Sequence, residues 1–164
     1  DQKEYDSLIN KYNVDDFHKP FTFFVPGLNL RSTDLQAFLG IRQVQKAEWA
    51  TNRRYENHLE YAKNLKGHVE YQKWHKNKPV SISFGALADN TEHRHQIVTR
   101  LVKNNVETRI FSAGNLGLHP FWYERYGKFN DNMSNKIHSN GFFIPNYPEL
   151  TKNDIKIICD IVKG

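Results

Sequence analysis

Val80-Ser81-Ile82-Ser83-Phe84 alternates apolar and small polar residues, the two-residue period of a strand that turns one face inward. After it, Thr91 opens a segment in which Ile97, Val98, Leu101 and Val102 recur at i, i+1, i+4 and i+5, a helical stripe that Asn104-Asn105 closes. Val106 to Phe111 is again strand-like. Strand, helix and strand in succession set the fold class as α/β (α+β), a layer of strands with helices packed on it.

Working outward, Pro120 starts a short helix that carries Phe121-Trp122-Tyr123, and a second short helix is predicted over residues 130–139. Phe142-Phe143-Ile144 reads as a further strand. Thr151 with Asp154 three positions on then opens a last helix, whose Ile155, Ile158, Cys159 and Val162 form the clearest amphipathic stripe in the chain. Upstream, Thr33 with Gln36 matches a capping box. The pattern that follows, with Leu35, Phe38, Leu39, Val44, Ala47, Tyr55, Leu59, Ala62 and Leu65, predicts one long helix kinked near Gly40 and stopped by Gly67. Phe21 to Val25 looks extended until Pro26-Gly27 ends it, and Asp1 to Lys19 is polar without lasting periodicity. The expectation is a polar lead-in over residues 1–20 and one domain over residues 21–164. That domain would be a three- to four-stranded sheet covered by helices, with one long N-terminal helix.

The chain has 164 residues, enough for one self-sufficient core, and with 38% hydrophobic but 13% aromatic residues that core should lean on rings. A single cysteine, Cys159, excludes a disulfide framework and a multi-thiolate metal site, which makes a reducing cytoplasm the expected compartment. No run of about 18 apolar residues is present and the N-terminus lacks the pattern of a signal peptide, so no membrane association is expected. A net charge of +5 is modest for a nucleic-acid binder.

Four features invite a chemical reading. His93 and His95, two apart on a predicted helix, point to different faces and do not make a metal site. Cys159 lies on an apolar stripe and reads as a buried hydrophobe rather than a nucleophile. Trp49 to Arg54 and His68 to Lys78 mix basic and aromatic residues as single-strand nucleic-acid surfaces do, but interspersed acids favour a charged helix face and a basic edge, and nucleic acid is not expected as a partner. Gly27-Leu28-Asn29-Leu30-Arg31-Ser32-Thr33 sets an amide, a guanidinium and two hydroxyls just before a helix N-terminus. Such a turn suits an anion, although Asn29 serving the turn and Thr33 the cap is an equal reading.

Gly27 to Ala37, read as Gly-Leu-Asn-Leu-Arg-Ser-Thr-Asp-Leu-Gln-Ala, resembles the Gly-Tyr-Asn-x-Arg-x-Thr-Asp-x-Gln-Ala motif of the DegT/StrS-type sugar aminotransferases, fold-type-I enzymes dependent on pyridoxal phosphate (PLP). Glu107-Thr108-Arg109, then Ala113-Gly114-Asn115-Leu116 and Pro120, is similar to the corresponding segment of the family's sugar 3-dehydratase branch, and Phe142 to Thr151 resembles its closing strand, loop and helix. The blocks fall in family order over residues 20–164.

The resemblance implies the C-terminal small domain of a homodimeric enzyme acting on a nucleotide-linked 4-keto-6-deoxy sugar in surface-polysaccharide or deoxysugar biosynthesis. Asn29 would reach the cofactor phosphate of the neighbouring subunit. Arg31 and Arg109 would meet the substrate diphosphate or anchor the fold, and Asn115 and His119 would line the sugar pocket. The family's Schiff-base lysine, or the histidine that replaces it, lies upstream of the motif, as does the aspartate that pairs with the pyridine nitrogen. No catalytic residue is therefore expected here, nor is PLP expected to be held by this chain alone. Leu28 stands in place of the motif tyrosine, and the cysteine cluster of the iron-sulfur dehydratases has no counterpart. The competing reading is a stand-alone binding module for a nucleotide sugar, a partner protein or nucleic acid.

Overall fold

The computed structural model describes residues 2–27, 33–74 and 76–164. Among these residues there are seven α-helices and one antiparallel sheet: α1 Gln2–Lys11, α2 Asp34–Val44, α3 Ala47–Asn64, β1 Glu70–Tyr71, β2 Ser83–Leu87, α4 Thr91–Lys103, β3 Arg109–Ile110, α5 Pro120–Tyr126, α6 Asn132–Asn140, β4 Gly141–Pro145 and α7 Lys152–Lys163. The strand order is β1-β2-β4-β3. Each neighbouring pair is antiparallel, with Phe84 opposite Ile144 and Ala86 opposite Phe142.

That register puts Phe84, Ala86, Phe142 and Ile144 on one face, and all four are at most 1% exposed. Tyr61 of α3 with Leu65 at its C-cap, Ile97 and Leu101 of α4, and Ile155, Cys159 and Val162 of α7 close over them. α7 packs against both α3 and α4. The Arg100 guanidinium donates to the carbonyls of Ile161 at 2.9 Å and Val162 at 2.7 Å, which satisfies the open end of α7 from its neighbour. On the opposite face Phe111 packs on Phe143 with ring centroids 4.6 Å apart, above Gly85, where a Cβ would stand 2.4 Å from Phe111 Cε2. Gly85 is thus a clearance for an aromatic layer on the second face.

The capping boxes at Thr33–Gln36 and Thr151–Asp154, the start of α5 at Pro120, β4 and the α7 stripe match the sequence expectations. Cys159 is fully buried, and burial pushes its thiol up to about 12, the state of an inert core residue.

Other elements differ. Residues 2–11 form α1, whose half-buried Tyr5 and Leu8 and buried Ile9 share one face that continues in Tyr12, and Tyr5 and Tyr12 pack on Phe24. Phe21 to Val25 joins no strand. Lys19–Phe21 is a 3-10 turn, and Phe23 and Phe24 dock as separate anchors on His119 and α1. The long helix divides at Gln45–Lys46, not at Gly40, because α3 docks on the core while α2 buries nothing. β2 begins three residues later than Val80, and Ile82 is 75% exposed. Asn90, not Thr91, caps α4 by accepting from the His93 amide at 2.8 Å. Val102 faces solvent.

The strand expected over Val106 to Phe111 shrinks to Arg109–Ile110, because the backbone turns sharply after Ile110. No helix among the described residues is long and apolar enough to cross a membrane, and no group of three potential metal-binding side chains occurs among them.

Candidate functional site

Ser112 (φ 45°), Ala113 (φ 65°) and Gly114 (φ 68°) follow β3 as three successive residues in left-handed backbone, which for Ser and Ala costs on the order of 1 kcal/mol each and persists only where surroundings impose it. Those surroundings are identifiable. The His119 ring donates from Nε2 to the Ala113 carbonyl at 2.9 Å and accepts at Nδ1 from the Phe23 amide at 3.1 Å, so both nitrogens are committed. His138 Nδ1 accepts from the Asn115 amide at 3.2 Å, and an added Cβ on Gly114 would lie 2.3 Å from that same atom. Asn115 donates to the Phe129 carbonyl and to Asn135 Oδ1, and accepts from the Gly117 amide.

Below this turn lies a small cluster of buried rings. His18 stacks on His138 with centroids 4.5 Å apart, and its ring nitrogens face the Asp15 carboxylate at 2.7 Å and the His138 carbonyl at 3.1 Å. The hydrogen bond from His18 holds the Asp15 carboxyl down to about 2 despite its partial burial. Burial, with the neighbouring His18 next in weight, lowers His138 to about 4. Burial also lowers His119. Burial disfavours the charged forms of His119 and His138, which support the turn as neutral rings.

On the outer side of the same turn a cleft of about 460 Å³ opens, bounded by Phe21, Ile82, Arg109, Ser112, Phe143 and Asn146 among others. Arg109 is exposed at its edge, with its guanidinium 2.6 Å from the Glu107 carboxylate and 5.6 Å from the centre of the Phe21 ring. Asn146 is fully buried at its floor. Its Nδ2 donates to the carbonyls of Arg54 at 3.2 Å and Ser81 at 2.9 Å, which fixes the amide orientation and leaves Oδ1 as an acceptor with no partner. Glu107 lines the cleft as well and neutralises Arg109, so the arrangement sets a paired polar edge against an apolar wall.

The five residues singled out from the sequence divide three ways. Asn29 and Arg31 lie outside the described residues. Arg109 borders the cleft, whereas Asn115 and His119 stand behind it with their polar atoms spent on the fold, joined to the cleft only through Ala113, which lines it. Asn146 and the His18–His138 pair were missed by the sequence reading. The signal for Asn146 was a lone amide between Pro145 and Pro148 in an otherwise apolar run, and the histidine pair carried none, since 120 residues separate its members.

Comparison with known proteins follows the same outline. The family model described as the DegT/DnrJ/EryC1/StrS aminotransferase family matches residues 4–163. Protein MJ1066 of Methanocaldococcus jannaschii is 30% identical over 150 residues, covering 84% of this chain and 37% of that protein. GDP-perosamine synthase of Escherichia coli O157:H7 is 26% identical over 151 residues, covering 88% and 39%. A crystal structure of GDP-4-keto-6-deoxymannose-3-dehydratase with a trapped PLP-glutamate geminal diamine has the same fold, with a TM-score of 0.71, 22% identity, and 92% of this chain and 40% of that one covered. The chain therefore spans about two-fifths of the length of the relatives it matches. A match over nearly every residue, on a sheet and helices arranged as in the solved structure, assigns the chain to the DegT/DnrJ/EryC1/StrS aminotransferase family.

Proposed function

We propose that this chain is the C-terminal small domain of a PLP-dependent nucleotide-sugar enzyme, an aminotransferase or 3-dehydratase acting on a 4-keto-6-deoxy sugar, and that the covalent anchor for PLP lies outside these 164 residues. The observation that carries the reading is the family match over residues 4–163 on a chain two-fifths as long as its relatives. PLP, when bound, supplies an electron sink at the reacting carbon. The described residues do not fit a complete site for it: no lysine among them is buried, and burial is what lowers an ammonium enough to serve as a Schiff-base nitrogen. No chemical step is therefore assigned to this chain.

Its part is to shape and to bind. Asn29 is assigned to the cofactor phosphate, and Arg31 and Arg109 to the substrate diphosphate, where a guanidinium fork suits two oxygens. Asn115 and His119 act on the sugar pocket from behind, by holding the strained turn at Ser112 and Ala113. The other reading, a stand-alone module for a nucleotide sugar, a protein or nucleic acid, predicts the same cleft without any cofactor partner. Absorbance after incubation with PLP and dialysis separates the two: the chain alone should retain no PLP band, and a chain extended upstream should retain one. Stoichiometric PLP on the 164-residue chain would overturn this account.

The same reading calls for a homodimer. α2 presents Leu35, Phe38, Ile41 and Val44 to solvent, each more than two-thirds exposed, a hydrophobic stripe that a solitary domain rarely leaves open. The chain should self-associate at micromolar concentration, and replacing Phe38 and Ile41 by glutamate should make it monomeric in sedimentation. A strictly monomeric parent protein would count against the dimer.

A further inference from the structure

His138 on α6 ties remote parts of the chain together. Its ring stacks on His18, with centroids 4.5 Å apart, and meets the His119 ring edge-on at 6.4 Å. Its Nδ1 accepts from the Asn115 amide at 3.2 Å, immediately after the left-handed run of Ser112, Ala113 and Gly114. The ring lies so close to Gly114 that a Cβ there would stand 2.3 Å from the same nitrogen. One imidazole thus joins the N-terminal segment carrying His18 to the turn whose Ser112 and Ala113 line the Arg109 cleft.

Accepting at Nδ1 requires the tautomer with its proton on Nε2. A second proton would fall on Nδ1 and set two N–H groups against each other, so the bond that pins the turn would be lost. The surroundings oppose that proton. His18 faces an acceptor at each nitrogen, the Asp15 carboxylate and the His138 carbonyl, and both are met only by a ring that carries two protons. The Arg94 guanidinium of α4 donates to the Ser139 carbonyl at 3.1 Å, and Lys128, Tyr12 and Tyr123 line one cavity of about 190 Å³ with the three histidines. Asp15 is the one acid among the described residues lining that cavity. Nearby Lys136 is paired with Glu70, and Glu124 with Lys11. Burial, with His18 next, accordingly lowers His138 to about 4.

We propose that His138 is a proton-operated latch: a second proton on its ring frees the Asn115 amide, the turn at Ser112 to Gly114 relaxes, and the wall of the Arg109 cleft changes shape while the core between the sheet and α3, α4 and α7 stays closed. Ser112 and Ala113 hold a backbone conformation that neither favours, so the turn moves once a hold is removed. His119 still donates to the Ala113 carbonyl and keeps the loosened turn attached. The closed turn binds the second proton poorly, and the loosened one binds it as an ordinary histidine does, so acid favours opening as pH falls from 6.5 toward 4. The latch does not depend on what the cleft binds.

Amide hydrogen exchange of the 164-residue chain, read by NMR between pH 7.5 and pH 5, tests it. The protection factor of the Asn115 amide should fall about twenty-five-fold over that range, the ratio set by a value of about 4 in the closed turn and 6.5 in the open one. The amides of Ile97 and Leu101, in the core, should remain better protected than Asn115 at every pH. The His138 ring resonances and the Asn115 amide resonance should titrate together. A His138→Phe chain keeps a ring on His18 without the acceptor, and at pH 7.5 it should show low protection at Asn115 with Ile97 still protected. Protection at Asn115 that is independent of pH, that equals that of Leu101 throughout, or that stays high in a folded His138→Phe chain would each overturn the latch.

Discussion

Replacing Phe142 by alanine should lower the free energy of unfolding by about 3–5 kcal/mol, enough to unfold a large fraction of a domain whose total stability is on the order of 5–15 kcal/mol. Phe142 is 0% exposed and pairs in register with Ala86 on one side and Ile110 on the other, at the centre of the sheet. Nothing nearby is free to collapse into the space it would leave, because Tyr61, Phe84, Ile97 and Ile155 around the same core are themselves fully buried. Val102→Ala is the matched control. Val102 is 61% exposed on α4, so its truncation should stay within about 0.5 kcal/mol. Urea denaturation followed by circular dichroism checks both, and similar midpoints for the two variants would place the core elsewhere.

Acid should destabilise the fold well before its carboxylates titrate. Burial lowers both His58 and His138 to about 4 from an ordinary 6.5. A histidine whose folded value is depressed binds its proton more readily in the unfolded chain, so its contribution is complete above about 6.5 and is lost as pH falls through 6.5 toward 4. The loss can reach about 3 kcal/mol per ring if both stay dry. Asp15 acts in a lower window: its carboxyl, held near 2, keeps its contribution above the ordinary 3.8 and loses it as pH falls toward 2. That side chain is 59% exposed, which limits its share to about 1 kcal/mol. Tm should therefore fall steeply between pH 7 and pH 4.5, and less steeply in a His58→Phe chain, which keeps a ring between Trp74 and Phe84 without the titrating nitrogens. A flat profile over that range would mean that the two rings are hydrated in the native state.

Local chemistry made some elements legible. Thr33–Gln36 and Thr151–Asp154 announce two helix starts because a capping box needs only side chains three residues apart. The α7 stripe is visible for the same reason, since its period is shorter than the element, and the apolar run Phe142-Phe143-Ile144 marks β4. Arg109, singled out through a resemblance of short motifs, borders a cleft whose ligand is a proposal.

What stayed hidden depends on partners far along the chain. The break after Val44 exists because α3 has a core to dock on while α2 has none. His119 looked like a pocket residue until its nitrogens were accounted for by Phe23, 96 residues away, and Ala113. The amino-acid sequence by itself determined the fold class, the two capping boxes, the inert cysteine and the family, all carried by spacings of a few residues. Only the tertiary structure decided which polar side chains are spent on the fold and which remain for a ligand, because hydrogen-bond satisfaction is a property of the packed interior and not of any local pattern.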